Sequence, residues 1–273
     1  MGRPSRAAAA AVLAALLVLG GCSGRADRSV RPPTIPGKPY VSLYERAGGF
    51  EVWIVSGQYV RERLDEEFTN FGQHYEFRFI PAREFWLDVE NAPGEASFFV
   101  DHLLEENRLM AGGMGYDDAL TKADEVERSE RLATGLGREV SSLRDAGRTP
   151  ELLAKVHKTL LTEYSGEIRT WVVDGEIVRD VFFIDFTEGG HDKVYSFVPA
   201  GEVWIEDDVA PGEREFILLH EMHERALMSR GWPYARAHRD SSRVEYHFRR
   251  HPAGLDAALR AEIDRNRAGR SGF

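Results

Sequence analysis

The sequence predicts an α+β protein built as a tandem duplication of one unit, in which a small, mostly antiparallel sheet is followed by two or more helices. Sliding the 273-residue chain against itself gives a gapless match at an offset of 118 residues, which aligns Trp53 with Trp171. About a third of the aligned positions are identical, whereas chance gives roughly one in fifteen to twenty. In each copy β-like segments come first and helical segments follow, as expected of an α+β domain.

The two copies are predicted to contain the same elements in the same order. A strand with a glycine turn comes first (53–61; 171–179), and more β-like sequence ends in a short strand, EFWLD or EVWIE. APGE then opens a helix, since proline is favoured in a first turn, and a second helix follows Gly113 or Gly231. Segments 131–145 and 149–164 are predicted to be connecting helices, the latter with Thr149 as its N-cap. The predicted domains are therefore 39–148 and 149–273.

The N-terminus has the pattern of an export signal over residues 1–21. Two arginines precede an Ala/Leu/Val run that is too short to span a membrane stably. The run ends in LGGC at 19–22, which resembles the lipobox of bacterial lipoproteins and implies that Cys22 is acylated. An ordinary signal with an incidental cysteine is the alternative. Residues 22–38 contain three prolines and few large apolar side chains, which predicts a disordered tether.

These features predict an exported lipoprotein that its lipid anchors to the cell membrane or the outer membrane, facing the periplasm. Ser23 after the cysteine resembles the residue that favours outer-membrane sorting. Cys22 is the only cysteine, so an intrachain disulfide is excluded. The formal net charge of −10 argues against nucleic acid as a partner, because phosphate binding needs clustered Lys and Arg.

Each copy places a histidine and a glutamate one helical turn apart on an apolar helix face. In FILLHEMHERALM, His220 and Glu224 fall between apolar residues at about 100° per residue. The first copy repeats the pair as His102 and Glu106. A buried carboxylate needs a partner, which a histidine four residues away can supply. A structural pair without metal is therefore one interpretation.

The copies differ around this pair, which favours a functional site in the second copy. Three polar residues of the second copy are replaced together in the first: Glu221, His238 and His191 correspond to Leu103, Leu120 and Gln73. A working site beside a degenerate copy has this pattern, although random drift also produces it.

HEMHE at 220–224 resembles the HExxH helix of zincin metallopeptidases, with Glu224 in place of the second histidine. The resemblance implies that His220 and Glu224 bind zinc, that Glu221 is the general base and that His238 is the third ligand. It also implies that EVWIE at 202–206 is an edge strand lining the substrate cleft.

Three other residues have more than one interpretation. His191, on a predicted glycine-rich turn, is either a catalytic group that hydrogen-bonds a substrate oxygen or an exposed residue without a role. His223 is expected at the surface rather than on the metal. Glu245 is expected in a salt bridge, because its counterpart Glu127 persists in the first copy.

The sequence therefore predicts a membrane-anchored lipoprotein whose second repeat carries a zinc-dependent hydrolase site acting on a peptide or protein. The alternative is a non-catalytic envelope scaffold or protein-binding lipoprotein, in which the His and Glu pairs are structural. No phosphate-binding glycine loop or GxSxG nucleophile motif is present in the sequence.

Overall fold

A computed structural model describes residues 39–268 and contains, within that range, two four-stranded sheets and nine helices. The mixed α+β class predicted from the sequence is confirmed. The elements of the first half are β1 (Tyr40–Ala47), β2 (Phe50–Val55), α1 (Gly57–Arg63), β3 (Phe71–Gln73), β4 (Glu84–Asp88), α2 (Ala96–Ala111), α3 (Tyr116–Ala133) and α4 (Gly135–Asp145). Those of the second half are α5 (Thr149–Val156), β5 (His157–Leu160), β6 (Arg169–Val173), α6 (Gly175–Val181), β7 (Gly189–His191), β8 (Glu202–Glu206), α7 (Arg214–Ser229), α8 (Tyr234–Arg250) and α9 (Leu255–Ala268).

The two sheets have the same topology. Their strand orders are β1-β2-β4-β3 and β5-β6-β8-β7, and in each only the central pair is parallel. Strands β3 and β4 and helices α1 and α2 begin and end 118 residues before β7, β8, α6 and α7. The offset of the sequence match is therefore also the offset between equivalent elements.

Two sequence-based expectations about the elements are wrong. The strands predicted over 53–61 and 171–179 end at Val55 (β2) and Val173 (β6), and the residues after them form helices α1 and α6. Side-chain oxygens of Ser56 and Asp174 accept hydrogen bonds from backbone N–H groups three residues later and so cap these helices. The connecting helix expected over 149–164 ends at Val156, because residues 157–160 pair with β6 as strand β5.

The cores lie on the two faces of each central strand. All five residues of β8 are buried, and Val203 and Ile205 face α7 while Trp204 packs on the opposite side. In the first half, Phe85 and Leu87 of β4 face α2. Strands that are buried on both faces tend to have consecutive apolar residues, as β4 and β8 have at their centres. The α7 face is completed by apolar residues of α9: Leu255, Leu259 and Ile263.

The halves contact each other through buried ion pairs that are reciprocal. Arg179 of α6 donates to both carboxylate oxygens of Glu95 in the first half. Arg61 of α1 lies 3.5 Å from the carboxylate of Glu213 in the second half. All four side chains are buried. Helix α4 ends before the boundary expected at residue 148, but its Val140 packs in the core of the second half.

Within residues 39–268, no helix combines the length and apolar character that a membrane crossing requires. The predicted signal peptide (1–21) and tether (22–38), including Cys22, lie outside the described residues.

Candidate metal centre

Helix α7 presents the predicted site residues toward the interior. It packs on β8 through Ile217, Leu218 and other apolar side chains, so the same face carries His220 and Glu224 inward. His220, Glu221 and Glu224 are 8%, 9% and 3% exposed. Burial of three ionisable side chains on one helix face requires compensating partners.

Helix α8 supplies the third predicted ligand. His238 Nδ1 lies 3.0 Å from Glu224 Oε2 and 3.2 Å from His220 Nε2. One donor atom from each of these three residues lies within 4.8 Å of the others, so the group can hold a metal ion. Tyr234 stacks on the His238 ring, with centroids 5.4 Å apart, and restricts its orientation. The structure therefore brings together the three residues that the sequence predicted as ligands.

His191 is not on an exposed turn, contrary to one of the two expectations for it. It is fully buried in β7, and its Nε2 lies 3.1 Å from Glu224 Oε1. Its Nδ1 accepts a hydrogen bond from the Lys193 backbone N–H, so Nε2 carries the hydrogen in the neutral ring. His191 Nε2 therefore lies next to one oxygen of the Glu224 carboxylate, and His238 Nδ1 next to the other.

Glu221 lies beside this arrangement. Donor atoms of His191, Glu221 and Glu224 also fall within 4.8 Å of one another. Burial raises the pKa of Glu221 to about 7, against the opposing effect of the nearby histidines. A carboxyl group with a pKa near neutrality can both accept and release a proton, as a general base must.

The charges of the site are strongly interdependent. Burial opposes the charged form of His220, but the nearby carboxylates of Glu224 and Glu245 outweigh burial and raise its pKa well above the ordinary value. Burial also opposes the charged form of His238, but the carboxylates of Glu224 and Glu67 outweigh burial and raise its pKa to about 9. Burial opposes the charged form of Glu224, but the three imidazoles around its carboxylate outweigh burial and lower its pKa well below the usual value. Carboxylates that stabilise two protonated imidazoles here would equally stabilise a divalent cation held by the neutral rings.

Glu245 orients His220 from behind. Its Oε2 lies 2.8 Å from His220 Nδ1, and its Oε1 accepts a hydrogen bond from Arg249 Nε at 2.8 Å. The salt bridge expected for Glu245 is present. Because His220 Nδ1 faces the Glu245 carboxylate, His220 Nε2 is the nitrogen that could bind a metal ion together with Glu224 and His238.

A cavity of about 140 Å³ opens onto these residues, and both halves line it. Glu66, Glu67 and Thr69, from the loop after α1, form the wall contributed by the first half. Sequence reasoning missed them, because nothing in a linear pattern shows that this loop faces α8. No Lys or Arg side chain lines the cavity among the described residues.

His223 is not a surface residue. It is 9% exposed, with Nδ1 2.8 Å from Glu262 of α9 and Nε2 3.1 Å from Asp240 of α8. The expectation of a surface role failed because α9 covers this side of α7.

The first half keeps the histidine and glutamate but has different surroundings. His102 lies 2.9 Å from Glu127 and 3.4 Å from Glu106. The amide of Gln73 donates to Glu106 where His191 contacts Glu224. The positions of the proposed base and third ligand are buried leucines, Leu103 and Leu120.

A third acidic group, formed by Glu95, Glu206 and Asp208, also brings its oxygens within 4.8 Å. Arg179 contacts all three carboxylates, which supplies the positive charge they require.

The strand expected at the cleft edge is placed differently. Strand β8 is internal, paired with both β6 and β7, so it is not an edge strand. The edge next to the site is β7, whose Gly189 and Gly190 line the cavity.

In comparisons with protein-family models, curated proteins and solved structures, the chain matched none of them.

Proposed function

We propose that this chain is a zinc-dependent hydrolase with a peptidase-like site in its second half, carried by a lipoprotein that is anchored to a membrane through Cys22. The observation that carries the proposal is the convergence of His220, Glu224 and His238 beside Glu221 in a cavity. Two histidines and a carboxylate form a common catalytic zinc set. The two halves are proposed to be tandem copies of one zincin-like unit, supported by their shared topology and the constant offset of 118 residues.

Each residue has a distinct role in this proposal. His220, Glu224 and His238 hold the ion, and Glu245 keeps the Nε2 of His220 free for it. A bound zinc ion lowers the pKa of water and polarises a carbonyl group. Glu221 accepts the proton that the attacking water loses. His191 orients Glu224, because its Nε2 faces that carboxylate.

The cavity lining favours a substrate without negative charge at the reacting group. Five carboxylates besides the proposed base and ligands line it: Glu66, Glu67, Asp185, Glu188 and Glu245. An anionic ester would meet these carboxylates without a lining Lys or Arg to offset them. A peptide bond is neutral and avoids this repulsion.

A non-catalytic envelope scaffold is the second candidate, and one observation favours it. Glu224 has imidazole partners on both carboxylate oxygens, His238 at 3.0 Å and His191 at 3.1 Å, and the His102 and Glu106 pair of the first half lacks the other proposed ligands. In a scaffold, the His102–Glu106 and His220–Glu224 pairs would each serve only to hold a helix against its sheet.

Metal content separates the two candidates. Protein purified without added metal is expected to contain one zinc per chain by elemental analysis, and His220→Ala is expected to contain none. His102→Ala is the matched control, since it removes the equivalent histidine and should leave the metal unchanged. Glu221→Gln should keep the zinc and lose hydrolysis of peptide substrates. Zinc-free parent protein, or stoichiometric zinc in His220→Ala, would refute the ligand assignment.

A further inference from the structure

The two histidines of the proposed centre use different nitrogens toward the ligand group. His220 turns Nε2 inward and His238 turns Nδ1 inward, and these atoms are 3.2 Å apart. The outer nitrogen of His220 is held by Glu245. The outer nitrogen of His238, Nε2, is buried and has no hydrogen-bond partner among residues 39–268. Within the second half, a carboxylate therefore holds the outer nitrogen of His220, but none holds that of His238.

A carboxylate from the first half faces this unpartnered nitrogen. Glu67 Oε2 lies 3.7 Å from His238 Nε2, which is ion-pair distance. The loop that carries Glu67 follows α1 and is fixed locally, because the Glu67 N–H donates to Asp65 Oδ1 at 3.1 Å. The Glu67 side chain is 37% exposed, so its removal leaves no large buried cavity.

A carboxylate in this position has a known effect on a metal-bound histidine. When it accepts the N–H of the outer nitrogen, it fixes the ring tautomer and orientation and makes the inner nitrogen a stronger donor. Glu245 stands in that relation to His220 within the second half. Glu67 faces the Nε2 of His238 from across the contact between the halves, at the ion-pair distance of 3.7 Å rather than in a hydrogen bond.

We infer that Glu67 of the first half is a positioning residue for the metal centre of the second half, holding His238 with Nδ1 toward the cation. This inference rests on the proposed function, because it needs His238 to be a ligand. The first half then contributes to the site directly and is not only a degenerate copy.

The test measures zinc affinity of the full chain in detergent by competition with a chelating dye. Glu67→Ala should weaken zinc binding about 10–100-fold. Glu67→Gln should lie between this variant and the parent, because its amide oxygen still accepts the Nε2–H but carries no charge. Glu66→Ala is the matched control, since Glu66 lines the same cavity without facing His238; it should change the affinity less than about threefold.

Two further measurements separate positioning from folding. In excess chelator, the Glu67 variants should unfold cooperatively with thermal midpoints only slightly below that of the parent, because the ion pair they lose involves a carboxylate that is 37% exposed. Nitrogen-15 spectra of zinc-loaded parent should show His238 protonated at Nε2, and this signal should broaden or shift in Glu67→Ala.

The zinc affinities of Glu67→Ala, His220→Ala and the parent test the inference and the proposed function separately. Zinc binding by Glu67→Ala as tight as by the parent overturns the inference and leaves the proposed function intact. Loss as complete as in His220→Ala makes Glu67 a ligand and also overturns the inference. A parent that binds no zinc refutes the proposed function, and the inference falls with it.

Discussion

The buried histidine of the first half should contribute stability that depends on pH. Burial opposes its charged form, but hydrogen bonds with Glu106 and Glu127 outweigh burial and raise the pKa of His102 to about 10. The carboxylates that face His102 or interact with it electrostatically include Glu76, Glu106, Glu127, Asp124 and Asp185. The folded pKa is therefore higher than the ordinary value of 6.5, so the contribution is fully present below pH 6.5 and is lost as pH rises toward 10.

The magnitude follows from this pKa difference. A rise from 6.5 to about 10 corresponds to at most about 5 kcal/mol, and removing one partner of a buried ion pair costs about 3–5 kcal/mol. We expect His102→Gln to lower the free energy of unfolding by about 3–5 kcal/mol near neutral pH, and by only about 1 kcal/mol at about pH 9.5.

Urea unfolding of parent and variant across this pH range, in excess chelator, measures the difference directly. The chelator removes any pH dependence that arises from metal binding. A difference between the two proteins that stays constant with pH would show that His102 is neutral in the folded protein. The equivalent His220→Gln variant, measured with and without zinc, extends the comparison to the proposed centre.

Three further perturbations have expected outcomes. Cys22→Ala should release the protein from membranes, and identical partitioning of parent and variant in detergent phase separation would contradict lipid anchoring. Gly57→Ala should lower the free energy of unfolding by roughly 1–3 kcal/mol, because a Cβ there would overlap the Asp88 carboxylate. Gly94→Ala, where a Cβ meets nothing within 4 Å, is its control in thermal melts. Gly189→Ala should lower hydrolysis of peptide substrates, since the added methyl would lie 2.9 Å from the Trp204 backbone oxygen and 3.3 Å from the Glu221 side chain and would displace one or both; unchanged activity would show that the reaction tolerates this displacement.

Local spacing in the sequence indicated the helices of the site, and the resemblance of HEMHE to the HExxH helix indicated the candidate ligands. An inward-facing His220 and Glu224 follow from helical periodicity, and the internal match located α8 and His238 one element later. The mixed α+β class follows from the same pattern. The contacts between the halves have no such local pattern, so Glu67 could not be found from the sequence.

Some sequence-based predictions were wrong because they depended on packing between elements that are distant in the sequence. The glycines before His191 were interpreted as a flexible turn, but they are needed for close approach: a Cβ on Gly190 would lie 2.5 Å from the Tyr195 ring. His223 was placed at the surface because α9 was not predicted. The helices that begin at Gly57 and Gly175 were missed although Ser56 and Asp174 are good N-cap residues.

The reciprocal pairing of Arg61 with Glu213 and of Arg179 with Glu95 has the form of an isologous contact, as at the twofold axis of a homodimer. In a homodimer every substitution occurs twice, so the two sites must remain identical. When both halves belong to one chain, a substitution in one half leaves the other unchanged, so the two sites can differ. One half can keep leucine at positions 103 and 120 while the other carries Glu221 and His238, and the contact that holds them together stays symmetric.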